Sequence, residues 1–155
     1  MSQRPGFDLA KLSAADRMLV GGSLLLFIDS FLNWQRVCGP KVLGLNTFCA
    51  TANAWGGNGS FAGVLMALLA LVLAVGGVLM AMGVAMPPNV PVSPVITGVT
   101  AGTVLFGIIK FLIVVSNHAA VGAWIGLILI LVVAAGGYLR MQAERVAPPS
   151  SGFTG

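Results

Sequence analysis

The chain has 155 residues, 57% of them hydrophobic and only 8% charged. A soluble domain carries about 25% charged residues, so this composition cannot cover a water-exposed surface and points to an integral membrane protein. The net charge of +4 could point to nucleic acid in a soluble protein; here the basic residues stand beside apolar stretches, where they read as topology signals, and no nucleic-acid partner is expected.

Four apolar stretches follow in chain order. The first runs from Ala14 to Asn33. Ser13 precedes it and Asp16 follows three residues later, the pattern of a capping box at a helix start. No small-x-small cleavage site precedes the polar loop, so the stretch is expected to be a retained span. The second, Ser60 to Gly83, carries no charge; the third, Pro94 to Ser116, carries only Lys110; the fourth runs from Ala120 to Leu139. Each has about 20 residues, enough to cross about 30 Å of hydrocarbon at ~1.5 Å per residue. The expected fold is an all-α membrane protein, a four-helix transmembrane bundle over 14–139. Residues 1–13 lead into it, an outer loop occupies 34–59, and 140–155 form a disordered cytoplasmic tail ending in "APPSSGFTG". The link "MPPNVPVSP" should be a stiff extended connector. The link "SNHAAVGA" is short enough to make the third and fourth spans a hairpin.

Orientation follows from the basic residues. Arg4, Lys11, Arg17, Arg140 and Arg145 flank one side, and Arg36 and Lys41 the other. This bias places both termini in the cytoplasm, in a multi-pass protein of the cytoplasmic membrane. Trp34, Trp55 and Trp124 then fall at the outer boundary and Tyr138 at the inner one, as interface anchors.

Cys38 and Cys49 both lie in the outer loop, where an oxidising environment favours a disulfide. Closing so small a loop restricts the unfolded chain by about 3 kcal/mol. CxxC spacing is absent, which argues against a redox pair. Only His118 could join the cysteines, so no metal site is expected. The segment "TANAWGGNGS" should turn tightly back to the second span.

Asp29 and Lys110 are the only formal charges inside the spans, and both sit roughly 7–9 Å below the outer surface. Three readings are open. They form an intramembrane ion pair, they are solvated separately, or Asp29 serves a proton or ion path. In the second span Gly63, Ala67, Ala70, Ala74, Gly77 and Ala81 form a helix-packing seam at heptad spacing. It could serve the chain's own bundle or a partner chain. Walker A, GxSxG and HExxH motifs are absent, and no cluster of carboxylates or histidines stands out. Neither an enzyme nor a cofactor is expected.

The segments "KLSAADRMLVGGSLLLFIDSFLNW" and "TANAWGGNGSFAG" resemble a group of small four-span integral membrane proteins of unknown function from actinobacteria. In that group an "LS-x-x-D-[KR]" start leads into a first span ending in "FLPW". Leu12, Ser13, Asp16, Arg17, Phe31, Leu32 and Trp34 match, and Asn33 stands where the group has proline. The resemblance covers the first half best and implies four spans without a transferable activity. A weaker similarity to claudin-type tetraspans rests on Trp34 and the two loop cysteines. The loop is short for their extracellular sheet, and none is expected here.

The expected role is non-enzymatic: an accessory or scaffold subunit, or an assembly factor, of a membrane or cell-envelope complex. Its partners would be the lipid bilayer and a membrane protein, or a second copy of itself. The alternatives are a small oligomeric transporter or channel, and an outer-loop sensor or adhesion module.

Overall fold

A computed structural model describes residues 12–42, 45–46, 48–84, 91–116 and 118–146. Its helices are α1 (Ala14–Asp29), α2 (Ser60–Ala81), α3 (Val92–Val115) and α4 (Val121–Val146). Between α1 and α2 lie four short strands: β1 (Asn33–Cys38), β2 (Lys41–Val42), β3 (Leu45–Asn46) and β4 (Cys49–Asn53).

The start of α1 is set by the expected cap. Ser13 Oγ accepts from the Asp16 amide at 3.1 Å and donates to the Asp16 carboxylate at 2.7 Å. This satisfies helix-end donors that would otherwise lack partners. The end of α1 comes earlier than the apolar pattern implied. Ser30 Oγ donates to the Phe27 carbonyl at 2.6 Å, and the amides of Phe31 and Leu32 reach Ile28 and Asp29. The chain tightens into a turn and Asn33 enters β1. At 16 residues, α1 covers ~24 Å at ~1.5 Å per residue. The helices α2, α3 and α4 have 22, 24 and 26 residues and are long and apolar enough to cross a membrane. The chain is therefore built as a multi-pass membrane protein.

Two other boundaries also depart from expectation. The helix α3 starts at Val92, inside the stretch expected to be extended. Pro94 lies in its first turn, where a missing N–H costs no helical bond. Residues 86–90 of that link lie outside the described residues. The helix α4 runs to Val146, past Leu139 and into the segment expected to be disordered. Arg140 to Glu144 and Gln142 to Tyr138 contacts, each one turn apart, extend it. Residues 147–155, with the rest of that tail, and 1–11, with Arg4 and Lys11, lie outside the described residues.

The all-helical expectation also fails at the outer loop. There β1 pairs antiparallel with β4, setting Cys38 opposite Cys49, and β2 pairs with β3. The connection after α3 docks on the other side of β1. The Arg36 amide donates to the His118 carbonyl at 3.2 Å, and the Ala120 amide to the Trp34 carbonyl at 2.8 Å. The physical reason is backbone accounting: a segment laid across helix ends must pair its own N–H and C=O groups. Two hairpins do so within few residues.

The helices form a closed ring of neighbours: α1 packs against α2 and α4, and α3 against the same two. Large apolar side chains point outward, among them Leu105, Ile128 and Leu131, while small residues point inward. Ala67, Ala70, Ala74 and Ala81 of the α2 seam are buried. A Cβ on Gly77 would strike Val20 of α1, and one on Gly63 would strike the Ala54 carbonyl. The seam therefore meets the chain's own α1 and outer loop. The main core, which includes Leu26, Trp34, Met66, Phe111 and Ile130, lies toward the end that carries the strands. A smaller cluster of Leu19, Leu73 and Val133 lies toward the opposite end, where α1 begins.

Candidate functional site: the clamped outer cap

Lys110 organises the end of the bundle that carries the strands. It is fully buried on α3, and its ammonium donates to the carbonyls of Gly56 at 3.0 Å and Asn58 at 2.8 Å. Gly57 and Gly59 adopt φ of +67° and +70°, which L side chains rarely take. These left-handed residues turn the loop so that both carbonyls face one cation. Gln35 of β1 grips the same loop. Its Oε1 accepts from the Asn58 amide at 3.1 Å and its Nε2 donates to the Asn58 carbonyl at 3.3 Å. Ser30 ties in α1: its carbonyl accepts from the Ala54 amide at 3.0 Å, and its Oγ accepts from Trp55 Nε1 at 2.9 Å. Trp55 also stacks on Phe31, with ring centroids 5.5 Å apart.

The Asp29–Lys110 ion pair is not formed. Asp29 is buried, yet neither carboxylate oxygen has a hydrogen-bond partner among the described residues. Matched depth did not imply matched direction. The helices α1 and α3 stand across the ring from each other, Asp29 faces Gly126 of α4, and loop carbonyls reach the ammonium instead.

Trp34 is likewise not an interface anchor. It is fully buried, its Nε1 donates to the Asp29 carbonyl at 3.1 Å, and its ring lies against Gly126. The missing side chain of Gly126 makes the room. Trp55 is half-buried in the cap. Trp124 and Tyr138 are 52% and 58% exposed and remain free to meet lipid.

Cys38 and Cys49 form a disulfide at the far end of the β1–β4 hairpin. Around it, Val37 and Phe48 are 52% and 83% exposed. Among the described residues no cluster of His, Cys, Asp or Glu is placed to hold a metal ion. What the geometry does present is a surface braced by Lys110, Gln35 and the disulfide. No protein family, curated protein or solved structure matches this chain.

Sequence reasoning missed Gln35 and Ser30. The signal for Gln35 was its place beside Trp34 in "NWQ", a polar residue where a membrane border alone required none. At the opposite end of the bundle it read Arg140 only as a topology charge. Arg140 bonds Asp16 of α1 at 2.8 Å and Glu144 at 3.4 Å, and Glu144 accepts from Ser93 of α3 at 2.5 Å.

Replacing both cysteines with serine is expected to act locally. The hairpin should lose about 2 kcal/mol of protection, a ~30-fold rise in opening of β1 and β4. The helix amides should keep their protection, because Lys110 and Gln35 hold the base of the hairpin independently. Hydrogen exchange followed by mass spectrometry in detergent checks this; uniform deprotection of all four helices would contradict it.

Proposed function

We propose that this chain is a four-span bundle of the cytoplasmic membrane, with both termini inside, that acts without catalysis as a scaffold or accessory subunit. The cap is its contact surface on the outer side. In this reading α1 is the fourth span: its short helix is completed by the Ser30–Leu32 turn and the first residues of β1. The basic residues flanking the termini support the orientation. The observation that carries the role is the construction of the cap. A buried lysine, a glutamine fork and a disulfide fix a hairpin that leaves Val37 and Phe48 exposed beside the disulfide. Exposed apolar side chains on a rigid support mark contact surfaces.

The test is cross-linking in intact membranes with wild type and with Val37→Ser/Phe48→Ser. A cross-linked species present in wild type and lost at least tenfold in the variant, at equal membrane level, supports the proposal. Equal cross-linking in both refutes the tip as the contact.

A second reading, a small proton- or ion-coupled transporter, draws on the unpartnered Asp29. It requires Asp29→Asn to abolish a solute flux in vesicles while leaving folding intact.

A further inference from the structure

The β1–β4 sheet is closed on one side and open on the other. The Arg36 amide donates to the His118 carbonyl, the Ala120 amide donates to the Trp34 carbonyl, and an isolated bridge joins Gln35 to Ala119. The backbone groups of residues 34 and 36 therefore point away from β4, and those of 35 and 37 point toward it. The Gly39 amide donates to the Phe48 carbonyl at 2.7 Å, which sets the same alternation from the other end of the ladder. Arg36 stands opposite Thr51, and Cys38 opposite Cys49. These are the pairs that exchange no ladder bonds, so the N–H and C=O groups of Cys49 and Thr51 face the outer edge of β4. Among the described residues no second strand pairs with β4, and Cys49, Ala50 and Thr51 are exposed. Natural sheet edges are commonly guarded by a charge, a proline or a covering segment. The stretch Cys49–Ala52 has neither charge nor proline.

We propose that this edge takes an extended segment of a partner protein that carries an acidic side chain beside Arg36. This assignment rests on the reading of the cap as a contact surface and adds the partner's chemistry. Two observations select the occupant. The edge offers backbone donors and acceptors together, which another polypeptide strand matches and a lipid headgroup, lacking such a ladder, does not. Charge then sets the sign. Cross-strand partners share a face, so Arg36 and Thr51 lie on one face of the sheet. Gln35 and Ala52 lie on the other, where a Cβ on Gly57 would crowd both. Arg36 is exposed and makes no ion pair among the described residues. From Ser30 to Ala143 the chain has no acidic residue; its basic residues there are Arg36, Lys41, Lys110 and Arg140, with His118. Lys110 is bound to the loop carbonyls, and Arg140 to Asp16 at the opposite end of the bundle. Asp29, the acid that precedes β1, is buried. The cap therefore carries basic side chains and no exposed acid. A second copy adding its own β4 would bring no carboxylate, which sets the partner apart from this chain. The strand β1 lies two strand spacings, about 9.6 Å, from an added strand, a gap that arginine and glutamate side chains bridge together.

The experiment is fluorescence anisotropy of the purified full chain in mild detergent with three labelled peptides. One is Val-Glu-Val-Glu-Val, one has lysine in place of glutamate, and one is the glutamate peptide with every backbone N–H replaced by N-methyl. Wild type is expected to bind the glutamate peptide. It should bind the lysine peptide about fivefold more weakly, the weight of one exposed ion pair, and the methylated peptide about fivefold or more, the weight of the lost backbone bonds. Failure to bind the glutamate peptide, or equal binding of the lysine peptide, overturns the proposal. Equal binding of the methylated peptide means that charge alone holds it, as an anionic headgroup would be held, and overturns it too. Thr51→Pro removes an outward N–H that the ladder with β1 does not use, and should weaken the glutamate peptide about fivefold. Arg36→Gln should erase the preference for glutamate over lysine. The three peptides on the unmodified chain give the answer where a variant fails to fold. Cross-linking with Val37→Ser/Phe48→Ser tests the contact surface separately, so either can fail alone.

Discussion

Trp34→Ala is expected to lower stability by about 3–5 kcal/mol, the cost of deleting a fully buried aromatic side chain. Two losses combine. The indole fills the space against Gly126, which has no side chain of its own to occupy the volume an alanine would leave. Its Nε1 also donates to the Asp29 carbonyl at the end of α1, which accepts the Leu32 amide as well. Trp34→Phe separates the terms: the ring volume is partly kept and the N–H is lost, so about 1–2 kcal/mol should remain. Unfolding in mixed detergent micelles gives both numbers. A tryptophan that merely floated in the lipid headgroups would tolerate phenylalanine and alanine with changes under about 1 kcal/mol.

Membrane placement was legible in the sequence because it depends on composition and run length, which survive any arrangement of neighbours. The Ser13–Asp16 cap was legible because it is local, and the disulfide because the chain holds only two cysteines. What was not legible depends on direction around a helix or on contacts distant in sequence. Residue spacing gave Asp29 and Lys110 equal depth and opposite charge, but not that their helices stand across the ring. Trp34 looked like a belt residue because a tryptophan after an apolar run usually is one; its burial depends on Gly126, ninety-two positions away. The hairpins were missed for a related reason. A strand six residues long with the pattern "NWQRVC" shows no clean alternation, and what stabilises it is pairing with β4 and with the α3–α4 connection. The partners of Lys110 were hidden most completely. They are backbone carbonyls, which every residue has and no motif announces.

That last point yields the second large effect. Lys110→Met is expected to cost about 3–5 kcal/mol. The ammonium makes two charge-assisted bonds to carbonyls, each worth about 1.5–3 kcal/mol net. Methionine keeps the length and packing of the stem, so the loss reports the head of the side chain. After substitution the Asn58 carbonyl still accepts from Gln35 at 3.3 Å, whereas the Gly56 carbonyl loses the Lys110 ammonium that bonds it at 3.0 Å. Backbone acceptors cannot be mutated away to compensate, unlike the second member of an ion pair. Asp29→Asn alone should shift stability by less than ~1 kcal/mol. Adding it to Lys110→Met should change nothing further, a coupling under ~0.5 kcal/mol. A paired carboxylate and ammonium would give the opposite pattern: each single change would strand a buried charge, and the double variant would recover most of the loss. Hydrogen exchange adds a spatial check, since Lys110→Met should deprotect the amides of 54–59 and of β1 first. Strong rescue by the second substitution would mean that Asp29, not the cap, holds Lys110 in the membrane.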